Sequence, residues 1–544
     1  MQLARRGAAR QIGGRMAMQK SRARVRHLTA LLIKDEFKKP EDCLKDVSAV
    51  EKVELSARLS YSADFYLQAK KARSPPWMEF LETIVAKKLP TLKNQNVCGV
   101  FFVRLKKRIV AFTQGHGRNL LRADCFERDF GLKVVLNSVD PTQLRSVDAR
   151  KVEDLTTQTR KQLSRNSPMD AFALNLNQDI LRVIAGKPKS EEFAKLIVGS
   201  DSLSLSAKVE VEQLGEKSQE LFAAYQSQEY KKHFPWFDHL RSVRDQAVMG
   251  ELNRRLIEKI QAGSADALHL ATPEVIDWSE SSGLSFSTEA DPTPRHDLLM
   301  EDYLKTKDET VSVADLKRDH VQVHFGAANA PVSKWSVYDS IVFEAEEKGE
   351  VFVLSGGDWF RVAKRFADEV RDRVGTIKKS TLILPAAKST DREDDYNFNV
   401  AKSRGFILMD KKNSYVAEGK TSIEVCDLLT KDRQFVHVKR KTRSSTLSHL
   451  FSQGVVSADA FWMDQEFRNH ARNHVLKIHP TLKSLIPQER PNPAEFEVVF
   501  AVITKSNPKW PHSLPFFSQL NLSYAHDRLE RMGYRVSLLR IDEV

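Results

Sequence analysis

Between Gly405 and Gly454 the apolar and polar positions follow two rhythms in close succession. GFILMD, IEVCDLL and FVHVKR are short, apolar and rich in β-branched residues, which predicts three strands. STLSHLFSQG follows with Leu447, Leu450 and Phe451 at helical spacing. Successive side chains of a strand face opposite ways, so Asp427 shares a face with Val425 and Ile423, and Glu424 with Cys426. His437 and Lys439 likewise share a face with Phe435. An ionisable group among apolar strand residues is costly to bury unpaired. The pattern therefore predicts that these groups meet at a site.

The same reading orders the rest of the chain. VRHLTALLI predicts a strand, Pro40–Lys52 a helix, Phe65–Leu67 a strand, and the residues after Ser74-Pro75-Pro76 a helix opening near Trp77, where the missing N–H of proline loses no partner. VCGVFFVR and RIVAFT around a Lys-Lys turn predict a hairpin. Residues from Val152 to Lys259 read as largely helical, with short strand candidates at Ala171–Leu174 and Lys208–Val211. ATPEVIDWSESSGLSFSTEADPTP is polar and proline-punctuated and marks the main boundary, although IDW and LSFS can pair as strands. Beyond it come a polar helix near His296–Lys307, a capped helix at SVADLK, strands at HVQVHF, Trp335–Glu344 and Glu350–Leu354, and a Ser355–Asp358 turn leading through Trp359 into the helix RVAKRFADEVRDRV. A strand at Thr381–Leu384 and an acidic helix around Glu393 lead into the Gly405–Gly454 stretch. AFWMDQEFRNHARNHVLKI, FEVVFAVIT, NLSYAHDRLERMGY and RVSLLRI then read as helix, strand, helix, strand, an α/β arrangement. The predicted organisation is a basic tail over 1–23, an N-terminal mixed α+β recognition or regulatory region over 24–262, a linker over 263–295, and a C-terminal α/β domain over 296–544 with a mixed sheet flanked by helices.

Charge changes this picture less than its total suggests. The net charge is +13, but residues 1–30 hold eight Lys/Arg and no acid, and residues 401–544 hold 22 Lys/Arg against 15 Asp/Glu. The surplus thus belongs to the tail and to the C-terminal domain, as expected if that domain meets nucleic acid. The tail lacks the apolar stretch of a signal peptide, and Met16 or Met18 offers an alternative start. No run approaches the roughly 18 apolar residues of a membrane span, so a membrane partner is not expected. Cys43, Cys98, Cys125 and Cys426 form no CxxC pair, which predicts reduced structural thiols in a cytoplasmic protein rather than a zinc site or a disulfide frame.

A carboxylate at the end of one strand, followed across a hairpin by polar-x-Lys on the next, suits metal-assisted phosphodiester cleavage. The carboxylate holds Mg²⁺, the ion lowers the pKa of a bound water, and the lysine steadies the developing charge. The order strand, strand with Asp427, strand with Lys439, helix resembles the core of PD-(D/E)XK nucleases, with Asp427 at the Asp position and Lys439 at the Lys position. His437 stands where a second acid is usual, and imidazole is a softer ligand than Mg²⁺ prefers. Asp410, Glu424 and Glu393 are the candidates for the second acid. The resemblance implies a restriction-endonuclease-like core, Mg²⁺ or Mn²⁺ as cofactor, and His437 as ligand or general base. Gln453, four residues from His449 on one helix face, is a candidate for orienting water or phosphate. Lys431, Arg440, Lys441 and Arg443 are candidates for holding a DNA or RNA backbone. An ordinary hairpin with solvated charges accounts for the same residues without a ligand.

LTALLIKDEF, PPWMEFL, RIVAFTQGHGRNLL, FERDFGLKVVLN and LSHLFSQG, in that order, resemble the "sporadically distributed" family of uncharacterised bacterial proteins, over nearly the whole chain after Arg24. That family travels with mobile and defence-type genes, so the resemblance implies a setting such as antiviral defence and brings no chemistry of its own. The expected function is a metal-dependent nuclease. The alternative is a nucleic-acid-binding or sensor protein that keeps a degenerate nuclease fold, in either case with homo-oligomers allowed. Four smaller motifs carry a bland and a functional reading each. Gly115-His116-Gly117-Arg118 and Gly356-Gly357 are tight turns or anion cradles. Phe234-Pro235-Trp236-Phe237 is a core knot or a stacking surface. His470 and His474 form a solvated basic face or a metal pair.

Overall fold

The computed structural model describes residues 24–544 apart from 58, 70–77, 79–89, 91–92, 94, 96, 123, 152–156, 173–178, 264–267, 275, 277–280, 291, 326–329, 410–412, 417–420, 442–443 and 483. The basic tail, the helix expected near Trp77, Asp410 and Arg443 lie outside the described residues.

The apolar second half of VRHLTALL, buried on both faces, suits β1 (Val25–Leu32) to an inner strand. It joins β2 (Glu51–Val53), β3 (Ala63–Ala69), β4 (Val97–Arg104), β5 (Ile109–Gly115), β6 (Val139–Lys151), β7 (Thr157–Ser167), β8 (Asp179–Pro188), β9 (Leu196–Gly199) and β10 (Leu203–Lys208). They form one ten-stranded sheet in the order β2-β3-β4-β5-β1-β10-β9-β8-β6-β7, antiparallel throughout. Leu28, Ala30 and Leu32 face a core that includes Phe130 and Val134 of α1 (Phe130–Ser138) and Leu221 of α2 (Leu214–Gln226). Leu31 and Ile33 face the opposite core, with Cys43, Cys98 and Cys125. All four cysteines are free and buried.

Several expectations fail in this half. The strand candidate Lys208–Val211 starts where β10 ends and runs into a 3-10 turn at Val211–Gln213, and the described part of Ala171–Leu174 belongs to a 3-10 turn at Met169–Phe172. The expected helix at Pro40–Lys52 is a 3-10 turn at Pro40–Cys43, another at Val47–Ala49, and then β2. The stretch read as largely helical from Val152 begins with β7 and β8, and helices take over only at α2 and at α3 (Gln246–Gln261). β7 is an edge strand, TQTRKQLSRNS, whose polar side chains carry no strong alternation. Pairing to β6 fixes it, and local propensity does not.

Among the described residues of 263–295, two short segments enter sheets. β11 (Leu240–Ser242) and β12 (Leu268–Leu270) close the two edges of a five-stranded sheet with β16 (Ile341–Glu347), β17 (Glu350–Ser355) and β18 (Asp358–Val362), in the order β11-β18-β17-β16-β12. The LSFS segment falls in β13 (Ser281–Phe286), which pairs with β14 (His320–Phe325), itself paired with β15 (Ala330–Ser336). The polar helix is short, α4 (Met300–Leu304). SVADLK forms α5 (Val313–Arg318), closed by a Ser312–Asp315 capping box. A second capping box, Ser336–Asp339, starts the single turn α6 (Val337–Ser340), which interrupts the strand expected over Trp335–Glu344. Gly356 and Gly357, at φ of +63° and +81°, turn β17 back into β18, so Trp359 lies in a strand and the helix α7 (Lys364–Thr376) begins after it.

The C-terminal sheet runs β19 (Lys378–Lys379), β26 (Arg535–Asp542), β25 (Glu497–Thr504), β24 (Gln434–Arg440), β23 (Leu428–Leu429), β20 (Ile407–Leu408), with a separate hairpin of β21 (Asn413–Val416) and β22 (Thr421–Glu424). β24, β25 and β26 are parallel to one another, and β20, β23 and β24 are successively antiparallel. The strand expected at Thr381–Leu384 does not form: the short β19 ends at Lys379, and Thr381–Leu384 are irregular. Residue parity divides the core. Phe435, Val498, Phe500 and Val502 pack with α9 (Ser444–Met463), α10 (Gln465–Ile478) and α11 (Phe516–Arg531). Val436, Val438, Val499 and Ala501 pack with α8 (Glu393–Arg404). Asp464 caps α10 and divides what the sequence suggested as one amphipathic helix. Among the described residues no helix is long and apolar enough to cross a membrane.

Gly454 lets α9 lie close to the sheet. A Cβ there would stand 2.4 Å from Phe500 Cε1, on a ring held edge-on by Phe451. Gly454→Ala is therefore expected to lower unfolding stability by roughly 1–3 kcal/mol, although an open helix interior would gain about 1 kcal/mol from the same change. Denaturant melts of the two proteins check the sign.

Candidate active site

β23 pairs with only the first part of β24, at Leu428↔Val436 and Leu429↔Phe435. N–H groups two residues apart point to the same edge of a strand, so those of Val438 and Arg440 lie where β23 has ended. Two carboxylates take the place of the missing strand. Val438 N donates to Asp427 Oδ2 at 2.6 Å, and Arg440 N donates to Glu393 Oε1 at 3.0 Å. The other Glu393 oxygen accepts from Lys439 Nζ at 2.7 Å. The two donors are roughly 6.6 Å apart along the strand, which sets the carboxylates side by side on one edge with Lys439 reaching one of them.

Each group is positioned from behind. Asp427 N donates to Val436 O at 3.0 Å and Asp427 O accepts from Met409 N at 2.9 Å, so its backbone is clamped between neighbouring strands. Glu393 opens α8 together with Asp394 and Asp395, where acidic side chains complement the positive end of the helix. The Tyr396 hydroxyl donates to Pro385 O at 2.7 Å, and Val400 and Ala401 are buried against the sheet. Gly405, at φ +67°, ends the helix in the left-handed conformation. Lys439 and Glu393 keep 27 % of their side-chain surface exposed, so the pair opens to solvent.

Arg440 is a different case. Its guanidinium pairs with Glu543 and donates to Lys388 O at 2.8 Å and Asp391 O at 3.0 Å. At 8 % exposure the head group lies inside the protein, bracing the segment that leads into α8. Sequence reading assigned Arg440 to a nucleic-acid backbone and missed this bracing. Strand parity, which sets Arg440 on the face opposite Lys439, was the available signal.

His437 is 3 % exposed, with Nε2 3.5 Å from Ser457 Oγ and its ring tilted against Phe500. Its contacts are thus core groups rather than a site carboxylate. Burial pushes its imidazole down to about 4. A histidine held neutral in the fold destabilises as pH falls, because between 6.5 and about 4 the unfolded chain takes up a proton that the native protein refuses. We expect stability to drop by on the order of 3 kcal/mol across that window, and His437→Leu to flatten the profile, as read by denaturant melts at pH 7, 5.5 and 4.5.

The remaining candidates are dispersed. Glu424 ends β22, half-buried and opposite Asn413. Lys431 is exposed in the β23–β24 turn, Lys441 Nζ donates to Ser513 O at 3.4 Å, and Gln453 lies half-buried on α9. His474 meets Leu408 O at 3.0 Å. Asp410 and Arg443 lie outside the described residues. Among the described residues no group of three or more His, Cys, Asp or Glu is arranged to hold a metal ion. A hard cation of the Mg²⁺ type takes one or two carboxylates from protein and fills its shell with water and substrate phosphate, and Asp427 and Glu393 are the two acids bonded to this strand edge. The buried imidazole of His437 adds nothing to that donor set.

No curated protein and no solved structure matches the chain significantly. The expectation of one uncharacterised family running through nearly the whole chain agrees with a family-model match over residues 28–542. On that match the chain belongs to DUF6119, a family of unknown function.

Proposed function

We propose that this protein hydrolyses nucleic-acid phosphodiesters with the help of a divalent cation, Mg²⁺ or Mn²⁺, at the open edge of β24. The observation that carries the reading is the pairing of Asp427 and Glu393 with successive free N–H groups of one strand, with Lys439 between those two positions in the sequence. Helix α8, the antiparallel strands β20, β23 and β24, and helix α9 follow the strand, strand, strand, helix order of the nuclease resemblance, with the β21–β22 hairpin inserted between β20 and β23, which supports the same reading. When bound, the cation supplies Lewis acidity and a bound water of lowered pKa. Asp427 and Glu393 are the groups that hold it. Each is fixed by a backbone hydrogen bond, so little ordering remains to be done on binding. Lys439 carries the fixed positive charge that stabilises charge developing on the phosphate.

One observation favours a second reading, binding without cleavage. His437 occupies the position of the usual second acid and faces the core. Incubation of the full chain with plasmid and with RNA, with Mg²⁺, with Mn²⁺ and with EDTA, tests the two. Metal-dependent nicking supports hydrolysis. Salt-sensitive retention of nucleic acid without nicking supports the binding protein, and neither outcome would sink both readings.

A further inference from the structure

A cavity of about 480 Å³ lies between the N-terminal sheet and the β17–β18 hairpin, remote in sequence from the acids and lysine above. That volume is within the range of small-molecule sites. Its charges are unevenly balanced. On the helical side the acids are satisfied: Asp129 takes Lys133 Nζ at 2.7 Å and the Tyr225 hydroxyl at 2.8 Å, and Asp238 takes the Tyr230 hydroxyl at 2.7 Å. On the hairpin side they are not. Arg128 stands 3.9 Å from Asp358, too far for a hydrogen bond, and Arg182 makes no hydrogen bond or ion pair among the described residues.

Arg182 is also crowded by a second cation. Arg150 pairs across with Ile180 on β8, Arg182 is the extra residue of the bulge where Ala149↔Leu181 gives way to Asp148↔Val183, and the charge of Arg182 reaches the Arg150 guanidinium. Arg150 is 0 % exposed, and among the described residues none of its three guanidinium nitrogens has a hydrogen-bond partner. Burial and the neighbouring Arg182 push its guanidinium down to about 9. Burial also pushes the carboxyl of Asp358 up, which weakens one of the two acids, Asp358 and Asp201, whose charge reaches Arg182. A fold does not gain stability from an unpaired buried guanidinium next to another. The hairpin turn is shaped around this arrangement, because a Cβ on Gly356 would stand 3.1 Å from Arg182 Nη2.

The remainder of the wall is aromatic. Trp236 and Phe237 come from the Phe-Pro-Trp-Phe knot, and Phe360 from β18. A guanidinium pair matches phosphate oxygens in planar, bidentate fashion, and aromatic faces match a flat ring. We propose that this cavity binds a free nucleoside phosphate, with its phosphate at Arg128 and Arg182 and its base among Trp236, Phe237 and Phe360. The site does not depend on the nuclease reading, and a failure here leaves the cleavage assay standing.

Calorimetry and thermal melts of the full chain with the four ribonucleoside monophosphates and triphosphates test it, alongside adenosine, inorganic phosphate and a 5′-phosphorylated oligonucleotide. At least one nucleotide should bind and raise the melting temperature, with the nucleoside and the phosphate alone at least tenfold weaker. Arg182→Glu should weaken that nucleotide at least tenfold, yet leave the melting temperature of the unliganded protein unchanged or higher, because the new carboxylate would face Arg150. Arg182→Lys should retain part of the affinity, and Arg365→Glu, on an exposed residue outside the cavity, should bind like the wild type. Absence of nucleotide binding, or full affinity in Arg182→Glu, overturns the proposal. So does tighter binding of the oligonucleotide through Arg182, which would assign the cavity to a nucleic-acid end.

Discussion

Asp427→Asn and Lys439→Met should each lower metal-dependent cleavage by at least about a hundredfold, the usual effect of removing one preorganised charged group from a phosphoryl or acyl transition state. The two substitutions are chosen so that loss of activity is not loss of fold. The Asn carbonyl oxygen still accepts from Val438 N, which Asp427 Oδ2 binds at 2.6 Å, so the edge of β24 stays capped while the negative charge disappears. Lys439→Met breaks an ion pair with Glu393 that is partly open to solvent, and such pairs contribute about 1 kcal/mol or less. Glu393→Gln completes the set, because its amide oxygen can keep the bond from Arg440 N. Plasmid nicking with Mg²⁺ and with Mn²⁺, read beside melting temperatures, decides the matter. Wild-type cleavage by Asp427→Asn at an unchanged melting temperature would move the reaction away from this strand edge.

Arg440→Met should be the most damaging substitution for stability, by about 3–5 kcal/mol, because removing one member of a buried pair strands the other. Arg440 and Glu543 keep 9 % and 18 % of their side-chain surface, and Lys388 O and Asp391 O also depend on the guanidinium. Those carbonyls lie in the segment immediately before α8, so the same change should loosen Glu393 and reduce cleavage. The double variant Arg440→Met with Glu543→Gln should lose less than the sum of the single losses, since the stranded charge is then gone. Additive losses in denaturant melts would show that the two side chains act separately.

How much of this was legible beforehand follows from how far each feature depends on distant chain. Strands that are runs of apolar, β-branched residues, such as Val25–Leu32, Gln434–Arg440 and Glu497–Thr504, are written in local sequence, and the pleat then assigns their two faces. The Ser312–Asp315 cap is local for the same reason, needing only four consecutive residues. Asp427 and Lys439 stood out in the sequence as charged residues on strongly apolar strands, with Glu393, on the preceding helix, one of three candidate second acids, and the structure brings Lys439 and Glu393 within 2.7 Å.

The tertiary structure alone decided the rest. β7 is polar along its length, so its pairing with β6 has no local signature and its residues read as helix. Glu424 and Lys431 carry the same kinds of charge as Glu393 and Lys439, and nothing within a few residues says which pair will meet. His437 and Lys439 share one face of β24, but α9 covers the first and leaves the second at the rim. Arg440 turns inward because Glu543 waits there, and the cavity at Arg182 draws its walls from both halves of the chain. Local sequence determines which face of a strand a side chain takes. Whether that face meets apolar packing, a counter-charge or water depends on segments that only the fold brings together.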